Sequence, residues 1–197
     1  MRNLRSEFVA AAHNLGEVSV PPAVRNVGIV VAGSYLAAVC SHVAIPLYFT
    51  PVPLSLQPFA VLLLGLLLSP RMAAATLGAY LAEGALGLSV FAPGTLGLAH
   101  LFGPTGGYLM AYPAAAVLIS YLWRRAGRGF LAALLAGAVG DLLILGCGAL
   151  WLAAWTHGSA RASLDMALFP FLPGDALKVA AAAGAAAGWM RLRRRVT

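Results

Sequence analysis

The chain has 197 residues, 61% hydrophobic and 10% charged. A soluble domain carries about 25% charged residues; too few are present here to coat a globule in water, which excludes a soluble core, a disordered chain, a disulfide scaffold and a solvent-exposed nucleic-acid binder. Thirteen Lys and Arg against six Asp and Glu give a formal charge of +7, and most of the basic residues sit at the ends of apolar runs, as the positive-inside pattern of an integral membrane protein requires.

Residues 1–26 read as an N-terminal cytoplasmic or interfacial segment. No apolar core follows Arg2 and Arg5, so it is not a cleavable signal peptide, and the short run Phe8 to Ala12 suits a position flat on the membrane surface. From Asn26 to Pro70 there is no charged residue. A first span is expected over about Val27–Ile45, closed by Pro46 and a loop through Tyr48, Phe49, Pro51 and Pro53. A short second span, Leu54–Leu68, has Pro58 in its first turn, where a proline is tolerated. A third, Met72–Leu88, carries Glu83, and a Gly/Pro-rich loop from Ser89 to Thr105 follows. The fourth, Gly106–Trp123, stops at Arg124, Arg125 and Arg128. The fifth, Phe130–Trp155, is long enough to tilt and carries Asp141. After a polar loop, His157–Asp165, the sixth span runs over Leu168–Met190. Residues 191–197 form a basic cytoplasmic tail.

Six spans put eleven arginines on the terminal side and only Arg161 on the other. That asymmetry predicts an all-α integral membrane protein with six transmembrane helices and both termini in the cytoplasm.

Two spans carry small residues every four positions: Gly33, Ala37 and Ser41 in the first, and Ala180, Gly184 and Gly188 in the sixth. Such spacing lets helix backbones approach closely in lipid. It serves either packing within the bundle or docking of a partner membrane protein.

Charge inside a bilayer costs about 2.5–3.5 kcal/mol on insertion scales, so Glu83, Asp141, Asp175 and Lys178 each need a reason. Lys178, the only lysine, follows Asp175 by three positions and shares its helical face. Either Asp175 caps a helix that restarts after Pro173-Gly174, with Lys178 neutralising it, or the two form a polar ligand pocket. Tyr80 and Glu83 likewise share a face, though Glu83 alone suits a carboxyl near a membrane boundary. Asp141 has no basic neighbour in sequence and is expected to bond an adjacent helix. The turn Gly103-Pro104-Thr105-Gly106-Gly107-Tyr108 can offer backbone N–H groups to an anion. Thr50 to Gln57 is stiff with proline, suited to a lid or to a connector.

No G-x-x-x-x-G-K-[ST], H-E-x-x-H or G-x-S-x-G occurs, so no P-loop, zincin or hydrolase elbow is expected. His13, His42, His100 and His157 are scattered, and Cys40 and Cys147 read as small buried hydrophobes. No cofactor or metal is expected.

Five motifs in order carry a resemblance: Pro51-Val52-Pro53-Leu54-Ser55-Leu56-Gln57; Tyr80-Leu81-Ala82-Glu83-Gly84-Ala85-Leu86-Gly87-Leu88; Val90-Phe91-Ala92; Gly103-Pro104-Thr105-Gly106-Gly107-Tyr108; and Pro173-Gly174-Asp175 with Lys178. From about residue 28 to 190 the chain resembles BioY, the substrate-binding S component of energy-coupling-factor (ECF) biotin transporters. Ser89 stands where that family suggests proline, and Pro58 where it suggests a small polar residue; neither is expected to touch the polar pocket. The resemblance implies a six-helix biotin-binding domain over residues 27–190. It also implies capture of biotin outside and import across the cytoplasmic membrane of a prokaryote, through a transmembrane coupling subunit and two separate ABC-type ATPases. It implies Asp175 and Lys178 for the biotin ring, with Glu83 and Tyr80 second, the Gly106-Gly107-Tyr108 turn for the tail, and Gln57 and Phe49 completing the set. Gly33, Ala37 and Ser41 are then the expected docking strip. The alternatives are an S component for thiamine or riboflavin, or a non-transport membrane protein such as an intramembrane enzyme or assembly factor.

Overall fold

The structure, a computed structural model, describes residues 21–93, 97–157 and 160–196; the segment Phe8 to Ala12 lies outside them. The described chain is mostly helical. In order it runs α1 (Pro22–His42), β1 (Ala44–Ile45), β2 (Leu54–Ser55), α2 (Gln57–Leu67), α3 (Pro70–Ala85), α4 (Leu98–Leu101), α5 (Gly106–Arg125), α6 (Phe130–Thr156), α7 (Ala160–Ala167) and α8 (Leu172–Val196).

Helix starts follow the punctuation of the sequence. Pro22, Pro58 and Pro70 occupy first turns, where the missing N–H costs nothing. Ser69 caps α3 by accepting from the Met72 N–H at 3.4 Å. Among the described residues two helices, α1 and α6, are long and apolar enough to cross a membrane. At 27 residues α6 reaches about 40 Å.

Helix α1 is inverted relative to a helix of a soluble bundle. On α1 the buried positions are small or polar, Gly33, Ser34, Ala37, Ala38 and Ser41, while Val27, Val31, Tyr35 and Val39 face outward. Large apolar side chains facing lipid cost nothing, whereas small ones inside let the helices close up. Thus α1 packs on α3 and α2, α5 on α6, α3 and α2, and α8 on α2 and α6. Gly65 brings α2 close against α5, where a Cβ would stand only 3.1 Å from the Ala116 backbone and from Ile119 Cβ.

Four expectations change. The loop after the first span is closed by a two-stranded antiparallel hairpin pairing Ala44 with Ser55 and Ile45 with Leu54; two-residue strands leave no periodic signal. The polar segment 157–165 is not all loop, because helix α7 begins within it at Ala160 and runs to Ala167. Helix α8 continues through the arginines to Val196 instead of stopping at Met190, because arginine is a good helix former whose charge complements the C-terminal dipole. The strip Gly33, Ala37 and Ser41 is an internal packing face. Ala37 and Ser41 are 0% exposed, and a Cβ at Gly33 would meet the Thr76 methyl of α3 at 2.5 Å. That face is already occupied and is not open to a partner.

Candidate functional site

A cavity is lined by the segment before and within β2, the start of α2, residue 92 after α3, α4, the first turns of α5 and α8, and the middle of α6. Its wall is mostly apolar, from Val52, Pro53, Ala92, Leu109, Ile144, Leu145 and Phe171. The polar groups are Ser55, Gln57, His100, Thr105, Tyr108, Tyr112, Asp175 and Lys178. The open space is narrow, about 40 Å³.

Asp175 and Lys178 meet there. The Lys178 Nζ donates to Asp175 Oδ1 at 2.7 Å, and the two side chains are 11% and 3% exposed. Helix α8 starts at Leu172 and carries Pro173 and Gly174 inside its first turn. Asp175 therefore lies within the helix, its N–H donating to the Phe171 carbonyl at 2.8 Å, and does not cap it. Backbone needs are met without the carboxylate, which leaves one oxygen on the lysine and the group aimed at the cavity wall.

Opposite stands a chain of hydrogen bonds. Gln57 Nε2 donates to the Tyr80 hydroxyl at 2.6 Å, and that hydroxyl donates to the Val90 carbonyl at 2.9 Å. The Ser41 hydroxyl lies 2.7 Å from the same carbonyl. Phe91 stands edge-on to Tyr80 at 5.4 Å and stacks on His100 at 5.1 Å. Gly84 makes room: a Cβ there would collide with the Phe91 ring. The second and third motifs are therefore one device, in which Tyr80 and Gly84 clamp residues 90–92 so that Ala92 forms part of the wall.

On the third side, the Tyr108 hydroxyl donates to the Ala167 carbonyl at 2.5 Å, and its ring lies flat against Gly148, where a Cβ would overlap it. Trp151 Nε1 donates to the Gly103 carbonyl at 2.8 Å. Within the glycine turn, the Gly106 N–H bonds Gly103 and the Tyr108 N–H bonds Thr105. A Cβ on Gly106 would strike the Leu101 carbonyl, and one on Gly107 the Trp151 side chain. These two glycines serve close packing of α4, α5 and α6, and neither lines the cavity.

The structure thus brings Asp175, Lys178, Gln57 and Tyr108 together around one space, with Tyr80 directly behind Gln57. Glu83 is turned away from it: its Oε1 accepts from Ser34 of α1 at 3.0 Å. Phe49 is 56% exposed and outside the wall. Pro58, expected away from the pocket, lines it. Asp141 is buried, and its Oδ1 has no hydrogen-bond partner among the described residues. The sequence reading omitted Tyr112, His100 and Phe171. Tyr112 was accessible to it, four residues and one helical turn from Tyr108 on the same face; His100 was not, because its place depends on how α4 folds over Phe91.

The BioY family model matches residues 10–195, and the chain belongs to the BioY family. It is 36% identical over 144 residues to the biotin transporter BioY2 of Lactococcus lactis subsp. cremoris, covering 73% of this chain and 78% of that one. It is 39% identical over 132 residues to the probable biotin transporter BioY of Pyrococcus horikoshii, covering 67% and 76%. Among solved structures it is similar to the crystal structure, at 2.1 Å, of the S component for biotin from an ECF-type ABC transporter. The TM-score is 0.80 at 26% identity, over 89% of this chain and 95% of that one.

Proposed function

We propose that the chain captures biotin in this cavity and delivers it across the cytoplasmic membrane as the S component of an ECF transporter. The observation that carries the reading is the buried Asp175–Lys178 pair, 2.7 Å apart, at the wall of an otherwise apolar cavity. Biotin presents two ureido N–H donors and one carbonyl, an apolar sulfur ring and a carboxylate tail. An ionised aspartate accepts N–H groups, and an ammonium donates to an oxygen. Phe171, Tyr108 and Tyr112 offer apolar and aromatic cover for the ring. Glu83 and Phe49, which do not line this cavity, would contribute only after a rearrangement, as would Gly106 and Gly107.

As it stands the cavity has room for about two or three waters. Biotin entry therefore requires outward movement of part of its wall, for which the two-residue strands of the β1–β2 hairpin are the candidate.

In the membrane, α1, α2, α3, α5, α6 and α8 are the six spans in our reading, with both termini cytoplasmic in a prokaryotic cell membrane. One relationship supports it: Ser120 of α5 bonds the Leu68 carbonyl at 2.6 Å and receives Arg124 Nε at 3.1 Å. That joins the Arg71 end of α3 to the Arg124–Arg128 end of α5, so the arginine-rich ends gather away from the cavity. Transport would draw on a transmembrane coupling subunit and two ABC-type ATPases, with nucleotide hydrolysis outside this chain.

Calorimetry of the detergent-solubilised protein against biotin, thiamine and riboflavin tests the reading. Saturable binding of biotin alone is expected. Binding of thiamine or riboflavin in its place would overturn the ligand and keep the transporter class; binding of none would overturn both.

A further inference from the structure

At the end of the bundle remote from the biotin cavity, a second cleft of about 140 Å³ opens between the α5–α6 turn and the last turns of α8. Its wall includes Arg128, Phe130, Ala187, Met190, Arg191 and Arg194. Three arginines from two elements line the cleft, and among the described residues no carboxylate does. Asp175 lies at the opposite end of α8. Three like charges facing one space repel each other unless an anion sits between them.

The turn is built to hold its arginine there. Gly127 and Arg128 both have positive φ, +82° and +59°, a region that non-glycine residues enter at a cost. The conformation is fixed from both sides: the Arg128 N–H donates to the Trp123 carbonyl at 3.1 Å, and Trp123 Nε1 donates to the Gly129 carbonyl at 3.0 Å. Immediately beside the cleft the surface becomes apolar, with Phe130, Leu131, Trp189 and Leu192 exposed. The arginines therefore stand where the apolar wall of α6 begins.

We propose that this cleft binds a phosphate-bearing anion, a guanidinium-lined seat for the headgroup of an acidic phospholipid whose chains lie along the apolar wall. Planar guanidinium groups match phosphate oxygens in paired hydrogen bonds, and basic pockets between helices at a membrane boundary suit acidic headgroups. The source of the phosphate, lipid or soluble, rests on the membrane reading above; the cleft and its charge do not.

The test uses the full chain in neutral detergent, titrated with phosphatidylglycerol, phosphatidylcholine and glycerol 3-phosphate, and followed by melting temperature and native mass spectrometry. Phosphatidylglycerol should raise the melting temperature and bind about tenfold or more tightly than phosphatidylcholine. R128G/R191Q/R194Q should lose that preference. R25Q/R71Q/R125Q removes the same charge outside the cleft and should keep it. Arg128→Gly alone relieves the positive-φ strain, so it folds and still reports the loss of one ligand group. Glycerol 3-phosphate binding in place of phosphatidylglycerol keeps the cleft as an anion seat and overturns the lipid source. Equal binding of both lipids, or equal loss in the two triple variants, overturns the proposal in favour of diffuse charge. Monodisperse elution verifies folding in each case, so biotin binding is not needed as the readout.

Discussion

Gln57, at the start of α2, donates to the Tyr80 hydroxyl of α3 at 2.6 Å, and that hydroxyl in turn donates a hydrogen bond to the Val90 carbonyl at 2.9 Å. One phenol thereby fixes a polar group of the cavity wall and the segment that closes it. Tyr80 is fully buried and outside the wall, so its effect on a ligand is exerted through these two partners.

Tyr80→Phe removes the acceptor from Gln57 and the donor from Val90. Losing buried hydrogen bonds of this kind costs about 1–3 kcal/mol. The variant should melt lower, and biotin affinity should fall about tenfold, equivalent to about 1.4 kcal/mol. Normal affinity in a folded variant would mean that Gln57 is held by something else.

Asp175→Asn replaces an acceptor-only carboxylate with a group that is half donor and leaves Lys178 without its counter-ion. The expected loss of biotin binding is about 2–4 kcal/mol, roughly 30- to 1000-fold in Kd. Lys178→Met, which keeps the stem, should do comparable damage. Calorimetry and melting measured on the same samples separate a ligand role from a structural one. Well-folded variants that bind like the parent would remove the pair from the site.

Ala37→Trp has no room, because Ala37 is fully buried. Overpacking costs about 1–3 kcal/mol or more, and an indole here exceeds anything rotamer shifts absorb. The variant should aggregate on extraction, read by size-exclusion chromatography. Ala32→Trp, on the exposed face of the same helix, should elute as the parent does. A folded, biotin-binding Ala37→Trp that only fails to assemble with a coupling subunit would restore the strip as a docking surface.

Asp141 keeps a buried oxygen without a partner among the described residues. Asp141→Leu removes that desolvated group and should raise stability by about 1–3 kcal/mol. A lower melting temperature would reveal a partner for the carboxyl.

Reporter fusions at Arg71, Ala126 and Thr197 should read cytoplasmic, and those at Thr95 and Ala160 external. An external reading at Thr197 breaks the six-span arrangement.

Composition and arginine placement by themselves determined that this is a helical chain built for a bilayer, since the cost of charge in hydrocarbon acts residue by residue and needs no knowledge of neighbours. The Asp175–Lys178 contact was legible for a similar reason: three residues apart on a helix is a local relation. Contacts that join distant segments were not legible. Spacing could show that Gly33, Ala37 and Ser41 form a strip of small residues, but only the packing of α1 on α3 decided that the strip faces inward. The same holds for Glu83, which shares a helical face with Tyr80 yet bonds Ser34 of another helix, and for the two-residue strands that close the loop after α1. A helical face is set by local geometry; what lies opposite it is set by the whole bundle.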